Sequence, residues 1–167
     1  MLGRSCKNNE VGYRGLMDDS CPVLLFDAEC GLCVRLVRLL LKADRRRRLR
    51  FAPLQGGAAQ EFLRARGLPA DNFESAIFVS DWANRLVVAA LVRTGALVAA
   101  FGVVGGALTP LHWLRFSPRS WRDATYRWMA RNRRRFFGHG NFNELVREFG
   151  AERFIPPDLL PWSLPRL

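Results

Sequence analysis

A chain of 167 residues, 49% of them apolar, is long enough to bury a core as one domain of ordinary size, and its four cysteines are too few for a disulfide scaffold. Its 26 Lys and Arg against 15 Asp and Glu leave a formal charge of +11, which favours anionic partners but names none. The arginines are scattered over many segments and are not interleaved with aromatics as a stacking groove requires, so composition alone does not make this a nucleic-acid binder.

Residues 1–21 read as a flexible polar leader without the apolar stretch of a secretory signal, so a reducing, cytoplasmic setting is expected. PVLLF at 22–26 is a short continuous apolar run and predicts a buried strand of a parallel sheet. The period then changes. Leu32, Leu36, Val37, Leu39 and Leu40 recur at three- and four-residue steps, with Arg35, Arg38 and Lys42 on the other side, which predicts a helix ending near Ala43. Asp44 and Arg45 to Arg48 form a charged turn, and LRFAPL at 49–54 alternates as a second strand. Strand, helix and strand make a βαβ unit, so the sheet is at least partly parallel.

A second helix is expected from Ala58 to Arg66, closed by Gly67 and followed by Pro69. SAIFVS at 75–80 and RLVVAA at 85–90 predict two strands joined by DWAN as an antiparallel hairpin. Helical segments follow within 94–104, near 108–115 and from about Arg119 to Arg134. The stretch from Leu86 to Leu108 approaches the ~20 residues of a membrane span. It contains Arg93 and glycines at 95, 102, 105 and 106, so a strand, a turn and a short buried helix are expected there and no transmembrane span. The tail at 150–167, with Pro156, Pro157, Pro161 and Pro165, predicts irregular chain lying extended over the surface. The whole reads as an α/β, thioredoxin-like mixed sheet, βαβ then ββα, with additional C-terminal helices spanning 22–149.

That arrangement places Cys30 and Cys33 between the first strand and the first helix. Backbone N–H groups at a helix start carry partial positive charge and stabilise an anion, and a thiolate is one. The i, i+3 spacing puts the second sulfur one turn behind the first, close enough to form a disulfide. Cys30, nearer the open end, is expected to act as the nucleophile and Cys33 as the resolving thiol, the only redox group required being the Cys30–Cys33 disulfide itself. Asp27 ends the strand three residues before Cys30. It suits either a general base for the resolving thiol or an N-cap for the helix. Glu29 opposes thiolate formation if it faces the sulfur, and Arg35 offsets it. A zinc site is not expected, because neither Cys6 with Cys21 nor His112 with His139 has the spacing of a second ligand pair.

The sequence D27-A-E-C30-G-L-C33, followed by a helix and FAPLQ at 51–55, resembles the DCC family of thiol-disulfide oxidoreductases, named for its Asp-x-x-Cys-x-x-Cys signature. NRRRFFG at 132–138 is similar to the Asn-Arg and aromatic-Gly segment that closes the family's shared region. The resemblance implies a thioredoxin-like fold and disulfide exchange, with Cys30 and Cys33 as the redox pair, Asp27 as the signature acid, and a protein or small-molecule thiol or disulfide as substrate. The chain departs from thioredoxins proper in having Glu29 and Gly31-Leu32 around the cysteines, and Asn72-Phe73-Glu74 in place of a proline before the third strand. The competing reading is a basic interaction module, binding nucleic acid or acidic protein through Arg45 to Arg48 and Arg131 to Arg135, with a non-catalytic CxxC.

Overall fold

The structure, a computed structural model, describes residues 21–68, 76–82, 84, 90–92, 94–106, 116, 118, 120, 121, 124 and 138–155. The polar leader with Cys6, the segment before the third strand, the helix expected near 108–115, most of that expected from Arg119, the cluster Arg131 to Arg135 and the prolines of the tail all lie outside the described residues.

Strand β1 (Val23–Phe26) leads through a short loop into helix α1 (Gly31–Ala43), then β2 (Arg50–Pro53) and α2 (Gly57–Ala65). Strands β3 (Ile77–Val79) and β4 (Ala90–Val92), helix α3 (Thr94–Val104), helix α4 (Phe142–Phe149) and a 3-10 turn (Ala151–Arg153) follow. The sheet order is β2-β1-β3-β4. β1 runs parallel to β2 and antiparallel to β3, and β3 is antiparallel to β4. This is the mixed sheet of a thioredoxin-like fold, with helices on both faces and a helix at the C-terminal side.

The continuous apolar run of β1 follows from its central place. Leu24 and Phe26 point to a core shared with Val34, Val37 and Leu40 of α1, Ala96, Ala100 and Phe101 of α3, and Leu145 of α4. Val23 and Leu25 point the other way, to Ala58, Ala59, Phe62 and Leu63 of α2. A strand covered on both faces has no position for a polar side chain, and all four of its residues are buried. In α3 Ala96, Val98, Ala100, Phe101 and Val104 are buried, and among the described residues no helix is long and apolar enough to cross a membrane.

The hairpin differs from its expected register. DWAN predicts a tight connection at 81–84 between strands at 75–80 and 85–90, whereas Val79 pairs with Ala90 and Ile77 with Val92; residues 85–89 of the expected second strand lie outside the described residues. The reason is Trp82. Its ring is buried against Phe62 with centroids 5.8 Å apart, and its backbone N–H donates to the Cys21 carbonyl at 3.1 Å, which draws the chain back into the core where a turn tip would leave it. Asp81 and Asn84 do form a local turn, Asn84 N–H donating to Asp81 Oδ1 at 3.2 Å.

Helix α4 was not legible as an element beside the strong proline signal that follows it. Its marks are nonetheless present: Asn141 at the N-cap accepts from Glu144 N–H at 3.4 Å, and Phe142, Leu145, Val146 and Phe149 recur at helical spacing. Beyond it, residues 151–155 are built into the domain. Phe154 bridges Phe51 of β2 in parallel, Ile155 N–H donates to the Phe51 carbonyl at 2.8 Å, and both side chains are buried.

Candidate active site

The site begins where β1 ends. Cys30 holds the N-cap position of α1 with an extended backbone (φ −86°, ψ 114°), and Val34 N–H donates to the Cys30 carbonyl at 3.0 Å to close the first helical turn. Its side chain makes no capping hydrogen bond, so it is the backbone that places the sulfur at the helix start. The sulfur of Cys30 thus lies at the positive end of a 13-residue helix, and Cys33 is in that helix's first turn. Both cysteines are in the thiol form. Cys21, buried ahead of β1, is disulfide-bonded and takes no part in this pair.

The order of exposure is the reverse of that expected from the helix alone. Cys30 is only 5% exposed, while Cys33 is partly exposed. Against it lies the segment Gly138–Gly140, which pairs with the active-site loop as an antiparallel bridge between His139 and Cys30. Gly31 N–H donates to the Gly138 carbonyl at 3.2 Å, and Gly140 N–H donates to the Glu29 carbonyl at 2.8 Å. A side chain does not fit at Gly140. An added Cβ would lie 2.5 Å from Val34 Cγ2 and 2.7 Å from the Ala28 carbonyl oxygen, so glycine lets this strand approach the loop. Gly138 has φ +62°, a left-handed conformation that glycine adopts at little cost. Gly138, which ends the late motif, is therefore part of the site, although it lies over a hundred residues from the cysteines.

Asp27 is not the helix N-cap. It is buried, and its Oδ1 accepts from Glu29 N–H at 3.0 Å in a turn just before the helix. The same oxygen accepts from Gln55 Nε2 at 2.7 Å, and Gln55 Oε1 accepts from Ala28 N–H at 3.2 Å. The sheet supplies this partner: Leu54 N–H donates to the Phe26 carbonyl at 2.8 Å, continuing the β1–β2 ladder and bringing Gln55 beside Asp27. The amide side chain offers both the donor for the carboxylate and the acceptor for the peptide N–H. Gln55 was visible in the FAPLQ motif, yet its role was not. Sequence spacing shows neighbours along a chain and not partners across a sheet.

Glu29 and Arg35 are both exposed. Of the first arginine cluster, Arg45, Arg46 and Arg47 are exposed, and Arg47 pairs with Glu152 at 3.6 Å. Among the described residues no group of three or more His, Cys, Asp or Glu is placed to hold a metal ion.

A thiol pair at a helix start, beside a buried and oriented carboxylate, is an arrangement suited to disulfide exchange, and comparison with known proteins agrees. The model of the DCC1-like thiol-disulfide oxidoreductases matches residues 24–139, from β1 to the bridge over Cys30. The uncharacterized protein YuxK of Bacillus subtilis is 31% identical over 134 residues, covering 80% of this chain and 93% of that protein. A chloroplastic DCC family protein of Arabidopsis thaliana is 29% identical over 129 residues, covering 77% of this chain and 72% of that protein. No solved structure gives a significant match. From its first strand to the glycine segment that pairs with its CxxC loop, the chain belongs to the DCC1-like thiol-disulfide oxidoreductase family.

Proposed function

We propose that the protein exchanges disulfides through Cys30 as nucleophile and Cys33 as resolving thiol. The observation that supports this most directly is the seat of Cys30 at the N-cap of α1, where the helix start favours its thiolate, with Cys33 in the following turn. The Cys30 thiolate attacks one sulfur of a substrate disulfide. The S–S bond breaks, the second substrate sulfur leaves as a thiolate and takes up a proton, and a mixed disulfide remains on Cys30. Cys33 then gives its proton to Asp27 and attacks the Cys30 sulfur. The bound substrate thiolate is released and recovers that proton. The substrate disulfide is reduced by two electrons to two thiols, and the cysteine pair is oxidised to the Cys30–Cys33 disulfide. The same steps reversed oxidise a dithiol.

The two sulfurs are assigned different roles, and trapping separates them. Full-length Cys33→Ser incubated with glutathione disulfide is expected to accumulate a dithiothreitol-reversible adduct on Cys30, with Cys30→Ser accumulating little. Adducts that build up on Cys33 instead would reverse the assignment. Adducts on neither cysteine would end the exchange reading.

A further inference from the structure

The two hydrogen bonds of the bridge over Cys30 fix more than its position. They run from Gly31 N–H to the Gly138 carbonyl and from Gly140 N–H to the Glu29 carbonyl, so they flank Cys30 and His139 without joining them directly. This is the non-hydrogen-bonded pair of an antiparallel ladder, in which facing residues approach most closely and their side chains leave the same face, with Cβ atoms ~4.5–5.5 Å apart. The added Cβ at Gly140 would point to Val34, the opposite side. His139 is exposed and Cys30 buried, which puts the imidazole on the solvent side of the thiol.

We propose that His139 is a positioning residue for the exchange reaction: its imidazolium, set opposite Cys30 by the Gly138–Gly140 bridge, stabilises the Cys30 thiolate from the solvent side while the helix start does so from below. The inference rests on the disulfide-exchange reading and adds to it a residue outside the CxxC motif. An opposite charge within ~4–6 Å favours the charged form of a group, so proximity suffices and no particular hydrogen bond is needed. The other charged groups near Cys30 among the described residues are Asp27, whose Oδ1 is held by Gln55 and Glu29 N–H, and the exposed Glu29 and Arg35. Attack on a substrate disulfide discharges the sulfur and dissolves the ion pair. Resolution by Cys33 forms the Cys30–Cys33 disulfide, and the Cys30 thiolate returns only when that disulfide is reduced.

The test is the pH profile of iodoacetamide alkylation at Cys30, read by mass spectrometry in the full chain carrying Cys33→Ser, alone and with His139→Ala, His139→Gln or His139→Lys. His139→Ala and His139→Gln are expected to move the midpoint to higher pH by about one unit, so that Cys30 reacts about tenfold more slowly at pH 6 while the rate at high pH stays within about twofold. His139→Lys, which returns a cation, is expected to recover the early midpoint. Midpoints that agree in all four proteins, or a Lys variant that behaves like Ala, would overturn the inference. If the protein with His139 intact already alkylates with the profile of an ordinary thiol near pH 8.5, the exchange reading itself falls.

Discussion

Two residues with no titrating group decide how the site is held. Gln55 joins the Asp27 carboxylate to the Ala28 peptide, and replacing it with Leu leaves a buried carboxylate short of a donor. Such a loss costs about 1–3 kcal/mol, and urea denaturation of Gln55→Leu should show it. The resolution step should slow as well, seen as a longer-lived mixed disulfide on Cys30 in a stopped-flow quench. Gly140 tolerates even less. Its added Cβ meets Val34 and the Ala28 backbone, so Gly140→Ala must push the bridge off the loop, at about 1–3 kcal/mol. Because that bridge lies against Cys30, the same substitution is expected to speed Cys30 alkylation several-fold at high pH, where ionisation no longer limits the rate. A slower Cys30 would mean that the bridge does not shield it. Of these contacts, Asp27 and the cysteine pair were legible from spacing, because they follow one another along the chain. Gln55, His139 and Gly140 were not, because their roles arise from strand pairing with residues far away in sequence.

At the scale of elements, α4 holds the bridge in place. Phe142, two residues after Gly140, packs its ring on Phe26 at 6.1 Å and on Phe154 at 5.2 Å, and Leu145 is wholly buried. Arg38 of α1 meets Glu144 at 3.1 Å and Glu148 at 2.9 Å, and Lys42 meets Glu148 at 3.6 Å. These carboxylates are substantially exposed, and pairs of that kind contribute at most about 1 kcal/mol each, so the apolar contacts hold the helix and the charges orient it. Leu145→Ala is therefore expected to cost about 2–5 kcal/mol in thermal or urea unfolding. The end of α1 has a different anchor. Asp44 accepts from the Arg48 and Leu49 amides at 3.0 Å each and from Arg153 at 2.7 Å. Burial pushes the Arg153 guanidinium below its ordinary pKa, and the adjacent Asp44 charge pulls it back up. Arg153→Met removes one partner of a buried pair, and the expected loss is about 3 kcal/mol, the low end of the usual range because two backbone donors remain on Asp44. The helices and strands themselves were mostly legible: α1, α2 and α3 end within a residue or two of where their apolar periods end. The hairpin register was not, since DWAN has the composition of a turn and only the packing of Trp82 on Phe62 shows that it is pulled inward.

For the whole molecule, the thioredoxin-like order was readable because a βαβ unit followed by a hairpin and a helix admits few packings, and the structure has the sheet order β2-β1-β3-β4 that results. The composition of the C-terminal region was the weaker guide. Its prolines suggest loose chain from residue 150, yet Arg153, Phe154 and Ile155 are buried against α1 and β2. The charge of +11 sets no function by itself, and in the turn after α1 part of it is engaged within the fold, Arg47 with Glu152. The account as a whole rests on Cys30 and Cys33 acting as one redox couple. The most direct measurement is a redox titration of the full chain in dithiothreitol buffers, with every cysteine alkylated and weighed at each potential. Cys30 and Cys33 are expected to disappear from the alkylated pool together in one two-electron transition, about 30 mV per tenfold change in ratio, separate from any transition of the Cys21 disulfide. These two titrating separately, or staying reduced at every potential, would contradict it.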